Sequence, residues 1–360
     1  MPPDDAGPRS PPAPTSNRPS DPHEQGGAEG RFELSRPRSI WSAESRAGVM
    51  TGRVHESSGG VYRVLLDSGE WVDASLRGRL KREVRTGDRV VIGDRVELAL
   101  DPDGSATIET VHPRRSEVVR RGAGGRGAKV VAANLDRLVV VAAASRPAPR
   151  QPLLDRLLAV GAANHLDSVL VFNKIDLISA APARIVLPSG RHSSPRTLMD
   201  LYRRVGYPVL ETSAVTGEGL GELLELLSCG SSALVGPSGA GKSTLLNAMQ
   251  PGLNLRIGEL SHREGRGRHT TVNARLIPLE CGGLVADTPG FSDVGIWGVE
   301  PKDLEHCFPE FAVHREACRF RACSHLHEPD CGVKDALARG EVDPGRYESY
   351  QVLVQEAGGT

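Results

Sequence analysis

One stretch limits this chain more than any other: Gly236-Pro237-Ser238-Gly239-Ala240-Gly241-Lys242-Ser243, a complete G-x-x-x-x-G-K-[ST] phosphate loop. Residues 232–235 before it read as a short buried strand, and Thr244 and the apolar residues after it as the start of a helix. A loop of this kind works only between such elements. The glycines let backbone N–H groups turn toward phosphate oxygens, and the helix N-terminus adds the positive end of its dipole. The chain is therefore expected to contain an α/β domain with a parallel sheet. Lys242 is expected to reach the β and γ phosphates, Ser243 to ligate Mg²⁺, and Thr244 to complete the phosphate contacts.

The 360 residues leave room for several domains. Residues 1–45 are rich in Pro, Ser, Gly, Asp and Arg and are expected to be a disordered tail. They carry no apolar core of a secretory signal, and the strongest apolar run, 138–144, is too short to cross a bilayer. A soluble, cytoplasmic protein without a membrane partner is expected. Residues 46–115 alternate apolar and polar positions between turn signals such as Ser57-Ser58-Gly59-Gly60 and Asp101-Pro102-Asp103-Gly104. Short strands at that spacing suggest a small all-β barrel, with an OB-fold favoured. Residues 116–133 are read as a basic linker. Arg114, Arg115, Arg120, Arg121, Arg126 and Lys129 gather in and beside it, as a solvated loop or a flexible strap for a phosphate backbone. The net charge of −1 favours neither reading.

From Asn134 to residue 298 the pattern becomes alternating strand and helix, the mark of an α/β domain. Residues 178–195 interrupt it as a Pro/Ser-rich surface loop. Asn173-Lys174-Ile175-Asp176 closes a buried strand. Asp176 can accept two hydrogen bonds from guanine N1–H and the 2-amino group, a pattern adenine lacks. The Lys174 stem can cover the base, and Asn173 can tie the base loop to the phosphate loop. Ser213 and the Ala214 N–H are expected to back the guanine O6 side. Downstream, Asp287 would hold Mg²⁺ through water and the Gly290 N–H would meet the γ-phosphate. The glycine-rich, basic run 265–271 carries Thr270 and Thr271, either of which can close on Mg²⁺, and His269, the candidate for positioning the attacking water. The base-reading motif thus precedes the phosphate loop: the GTPase order is circularly permuted.

Residues 299–360 hold Cys318-x4-Cys323-x-His325-x5-Cys331, a Cys₃His set for one structural Zn²⁺. His306, His314 and His327 are alternative imidazoles. Cys229, Cys281 and Cys307 read as ordinary packing residues.

These motifs, in this order, resemble the ribosome small-subunit-dependent GTPase A family, also called RsgA or YjeQ. Ala133-Asn134-Leu135-Asp136 is similar to that family's entry into its GTPase domain, and the resemblance spans residues 48–354. It implies a multi-domain chain: an OB-like barrel, a permuted GTPase domain and an α-rich zinc domain. It further implies a monomer cycling between GTP and GDP, with low intrinsic hydrolysis stimulated by the small (30S) ribosomal subunit. The implied role is late small-subunit maturation, with the outer domains on 16S rRNA. Two features depart from other GTPases. Phe291 follows Gly290 where Ras has the water-orienting glutamine, and Gly239 stands where potassium-dependent relatives carry asparagine, so strong potassium dependence is not expected. Phe291 keeps open a GTP-binding RNA scaffold with negligible turnover. A P-loop kinase using ATP is disfavoured by Asp176.

Overall fold

The computed structural model describes residues 50–78, 90–100, 105–121, 128–178, 185–186, 192–253, 255, 274–287 and 299–358. The expected tail, the turn at 101–104, and His269, Thr270, Thr271, Gly290 and Phe291 lie outside the described residues.

Period-2 patterning builds a closed barrel from β1 (Met50–Ser58), β2 (Val61–Leu66), β3 (Trp71–Leu76), β4 (Arg95–Leu100) and β5 (Ala106–Val111). Val54, Val64, Leu66, Leu76, Val96, Leu98 and Ile108 fill its interior. The strand order β1-β2-β3-β5-β4 returns to β1 through a β1–β4 pairing, so the sheet has no open edge there. This is the OB-like barrel expected.

The basic segment differs from expectation. It folds as an antiparallel hairpin of β6 (Glu117–Arg121) and β7 (Ala128–Ala133). The Val and Ala residues between the basic ones supply a strand pattern that charge counting overlooked. Nor are its first two arginines without an acid, although Arg115 stays exposed and only Arg114 is largely shielded from solvent. Arg114 donates from Nε and Nη2 to Asp94, a fully buried carboxylate, at 2.8 and 3.0 Å. Arg115 donates to Asp136 at 2.9 Å. Their acids lie about twenty residues away in sequence, so local charge could not reveal the pairs.

The α/β part follows as β8 (Arg137–Ala143), α1 (Gln151–Ala163), β9 (Asp167–Asn173), α2 (Pro195–Val205), β12 (Val209–Thr212), α3 (Leu220–Leu227), β13 (Ser231–Val235), α4 (Lys242–Met249), β14 (Ala274–Pro278) and β15 (Leu284–Asp287). The excursion before α2 is not all loop: Ile185–Val186 (β10) and His192–Ser193 (β11) pair antiparallel. Strands β12, β9, β8, β13 and β15 are parallel, and β14 closes that side antiparallel to β15. Both faces are covered, which explains the continuous apolar run in β8. Leu138, Val140 and Ala142 pack on one face, and Val139 and Val141 on the other. The sheet then continues into the barrel, because β14 also pairs with β1, Glu56 opposite Arg275 and Ser57 opposite Ala274.

At the carboxyl end, a 3₁₀ helix at Pro301–Cys307 and helices α5 (Phe311–Arg315), α6 (Gly332–Arg339) and α7 (Pro344–Gly358) enclose Leu304, Phe308, Phe311, Val333, Tyr347 and Tyr350. Ala159 of α1 belongs to the same cluster. Arg346 of α7 is fully buried there. Its Nε and Nη2 engage both oxygens of Glu310 at 2.7 and 2.9 Å, and its Nη1 reaches buried Asp155 of α1 at 2.9 Å. Burial opposes its charge, but Asp155 and Glu310 outweigh that and hold the guanidinium well above its ordinary pKa. Cys307 packs here as expected, but Cys229 and Cys281 are exposed in turns at strand starts.

Candidate functional site

The phosphate loop sits where the sequence requires it, between fully buried β13 and the N-terminus of α4. Two of its glycines are obligatory. Gly236 has φ 139°, and a Cβ there would lie 2.0 Å from the Val141 carbonyl oxygen. Gly241 has φ 97°, and a Cβ would lie 2.3 Å from Asn173 Nδ2. No side chain fits either place. Lys242 is 4 % exposed, with Nζ donating to the carbonyls of Gly236 and Pro237 at 2.7 and 3.1 Å. Burial pushes its ammonium down to about 8, so most of it carries charge at neutral pH.

The residues expected to read the base end or follow β9 and its parallel neighbour β12, and two of them reach this loop. Asn173, at the end of β9, donates from Nδ2 to the Ala240 carbonyl at 3.0 Å. Lys174 adopts a left-handed backbone, φ 66°, and its Nζ donates to the carbonyls of Gly239 and Arg146 at 2.7 and 2.8 Å. Asp176 Oδ1 accepts from the Ser213 hydroxyl at 2.7 Å. The Ala214 N–H donates to Asn173 Oδ1 at 3.3 Å. Ser213 and Ala214, expected to back guanine O6, here brace the residues that would read the base. Sequence reasoning missed the Arg146-Pro147 turn: a Cβ on Gly239 would sit 3.3 Å from Pro147 Cδ. The only local signal was a Pro-rich stretch after β8.

Asp287 ends β15, the parallel neighbour of β13, and Ser243 is the second residue of α4, just after the loop that β13 leads into. A carboxylate at the end of one strand and a buried hydroxyl in the first turn of the helix that follows its neighbour are hard oxygen donors and fit Mg²⁺. Sequence reading also missed Arg275 of β14, whose Nε donates to Asp287 Oδ2 at 3.1 Å.

The carboxyl-terminal cluster assembles as expected. The ligand atoms of Cys318, Cys323, His325 and Cys331 all lie within 4.8 Å of one another. Cys318 Sγ is 3.9 Å from Cys331 Sγ, and His325 Nδ1 is 3.6 and 3.4 Å from those two sulfurs. Zinc–sulfur bonds of about 2.3 Å in a tetrahedron space sulfurs by about 3.8 Å, so the set fits zinc. His325 Nε2 meets Glu305 Oε2 at 2.6 Å, which directs Nδ1 toward the sulfurs. The tyrosine hydroxyls of 347 and 350 donate to the carbonyls of His325 and Ser324 at 2.5 and 2.7 Å. Glu328 braces the loop. Its partial burial opposes ionisation, but bonds from the N–H and hydroxyl of Ser324 bring it down to about 2. His306, His314 and His327 are not in the cluster.

Comparison with known proteins agrees with this geometry. A model of the family described as RsgA GTPase matches residues 111–297. A protein of Gemmatimonas aurantiaca named small ribosomal subunit biogenesis GTPase RsgA is 46 % identical over 309 residues, 85 % of this chain and 97 % of that protein. This chain belongs to the RsgA GTPase family. An RsgA of Thermotoga petrophila is 38 % identical over 290 residues, covering 81 % of this chain and 90 % of its own length. Among solved structures, YjeQ from Thermotoga maritima superposes with a TM-score of 0.68 at 32 % identity, over 87 % of this chain and 99 % of that one. YloQ, described as a circularly permuted GTPase, gives 0.64 at 27 % identity, over 87 % and 96 %. The permuted order read from the motifs is thus also the order of a solved relative. No helix among the described residues is long and apolar enough to cross a membrane.

Proposed function

We propose that this protein is a Mg²⁺-dependent GTPase that acts on the small (30S) ribosomal subunit late in its maturation and is stimulated by it. One observation supports the nucleotide reading above all: Asn173 on the base-reading strand is bonded to Ala240 of the phosphate loop, so base and phosphate recognition form one rigid unit. The names of the relatives support the ribosomal role.

In this reading Asp176, aimed by Ser213, selects guanine. Lys242 brings its positive charge to the β and γ phosphates, and the N–H groups of residues 239–243 surround the β-phosphate. Ser243 and Asp287, with Thr270 or Thr271, hold Mg²⁺, which when bound neutralises charge on the phosphate oxygens. The Gly290 N–H meets the γ-phosphate. Phe291 cannot orient water, so that role falls to His269. Cys318, Cys323, His325 and Cys331 hold one structural Zn²⁺ that folds the carboxyl-terminal knob. Barrel and knob contact 16S rRNA, and the protein works in the cytoplasm as a monomer.

The test is phosphate release from GTP and from ATP, with and without purified small subunits. Strong stimulation with GTP alone is expected, and His269→Ala should keep GTP binding while losing the stimulated rate. Tight GTP binding without turnover in either condition would replace the enzyme with a GTP-binding RNA scaffold. Unchanged stimulated turnover in the variant would remove His269 from the mechanism.

A further inference from the structure

Five charged residues stand in register across five adjacent strands. Asp287 of β15 faces Arg275 of β14, and Arg275 faces Glu56 of β1. Glu56 faces Arg63 of β2, and Arg63 faces Asp73 of β3. Directly opposed residues of antiparallel strands project from the same face, so the five form one row. Its charges alternate in sign, beginning at the proposed magnesium carboxylate and ending on the barrel. Arg63 also lies over the Trp71 ring, 5.1 Å from its centre. No short sequence window could show the row, because its members come from residues 56–73 and 275–287.

The row is asymmetric at Arg275. This arginine has a carboxylate on each side, one strand spacing of about 4.8 Å away. Its Nε is bonded to Asp287 at 3.1 Å. Asp287 is 14 % exposed and Arg275 is 43 % exposed, so the guanidinium has room to swing while the acid is held in place. Glu56 is exposed on the other side. A side-chain contact joins β1 to β14 beside it: His55 Nδ1 lies 3.4 Å from the Leu276 carbonyl oxygen. Barrel and nucleotide domain are therefore in direct register at this arginine.

We propose that Arg275 is a positioning residue that links nucleotide state to the barrel. It competes with Mg²⁺ for the Asp287 carboxylate, and when Mg²⁺–nucleotide binds it transfers to Glu56. The reason is electrostatic. A carboxylate neutralised by a guanidinium is a poorer partner for a metal-bound water, and a displaced guanidinium is drawn to the nearest acid. The relay runs both ways. Anything that engages Glu56 on the barrel strengthens the hold of Arg275 on Asp287 and raises the Mg²⁺ requirement of the nucleotide site.

The inference rests on the proposed role of Asp287, and the experiment separates the two. Dissociation of a fluorescent GDP analogue from the full chain is measured against Mg²⁺ concentration. Asp287→Asn should raise the half-saturating Mg²⁺ at least about tenfold. Arg275→Gln should lower it, by roughly two- to fivefold for a half-exposed ion pair. Glu56→Gln should raise it by a similar factor, because Arg275 then loses the acid that faces it on β1. In the Arg275→Gln background, Glu56→Gln should change nothing, whereas a direct field effect of Glu56 on the metal would persist. Both side chains are exposed, and equal thermal melts will establish that the variants fold. An unchanged or raised Mg²⁺ requirement in Arg275→Gln, or a Glu56 effect that survives without Arg275, overturns the relay alone. No effect of Asp287→Asn overturns the metal role of Asp287 and the relay with it.

Discussion

Replacing Arg346 by methionine should loosen the carboxyl-terminal domain more than any surface change. Methionine roughly keeps the packing volume over Phe308, whose ring centre lies 4.6 Å from the guanidinium carbon. What it removes is charge. Asp155 is fully buried and Glu310 has a side chain 10 % exposed, and both then face the domain core without their cation. Asp155 keeps the bond from the Tyr202 hydroxyl at 2.7 Å, a neutral donor that does not replace the lost cation. Breaking a buried ion pair from one side costs about 3–5 kcal/mol, because the partner is left charged and desolvated. At about 1.4 kcal/mol per factor of ten, amides of α6 and α7 that exchange through opening of this domain should exchange roughly 10²- to 10⁴-fold faster. Native-state hydrogen exchange reads this directly, and it does not require the whole chain to unfold in one step. The triple variant Arg346→Met, Asp155→Asn, Glu310→Gln removes the stranded charges and should recover most of the protection. An acceleration below about tenfold in the single variant, or no recovery in the triple one, would show that packing and not the charge network holds the domain.

Two further outcomes follow from the sites. Burial lowers Lys242 to about 8, and bound phosphates favour its charged form, so affinity for GDP should fall as pH rises through about 8. The same shift has a stability sign: between about 8 and the ordinary lysine value near 10.5, the unfolded chain binds more protons, so folding stability rises with pH in that window. Equilibrium titration with fluorescent GDP from pH 7 to 9.5 checks the affinity, and Lys242→Arg should flatten the profile. Glu305→Gln weakens the bond that orients His325 and should speed zinc loss to a chromogenic chelator by about 10- to 100-fold. An unchanged release rate would mean that Glu305 does not support the metal.

Much of this protein is legible in the chain itself. The phosphate loop, Asn173-Lys174-Ile175-Asp176 and the Cys₃His spacing each place their chemistry within a few residues, where backbone geometry alone brings the groups together. Their order along the chain announces the permutation, and period-2 alternation announces the barrel. Where one sequence window misled, the missing partner was distant. Arg114 looked solvated because its partner, Asp94, lies on the far side of β4 and β5 in sequence. Glu305 and Arg275 carried no motif, since an acid beside a histidine or an arginine beside an aspartate is recognisable only once two elements meet. Local rules act over a turn or a strand, and they determined which chemistry this chain can perform. The sheet register that sets Glu56, Arg275 and Asp287 side by side, and the helix packing that buries Arg346 against Asp155, join residues more than a hundred positions apart. Burying apolar faces brings such residues together, and that was decided only when the tertiary structure formed.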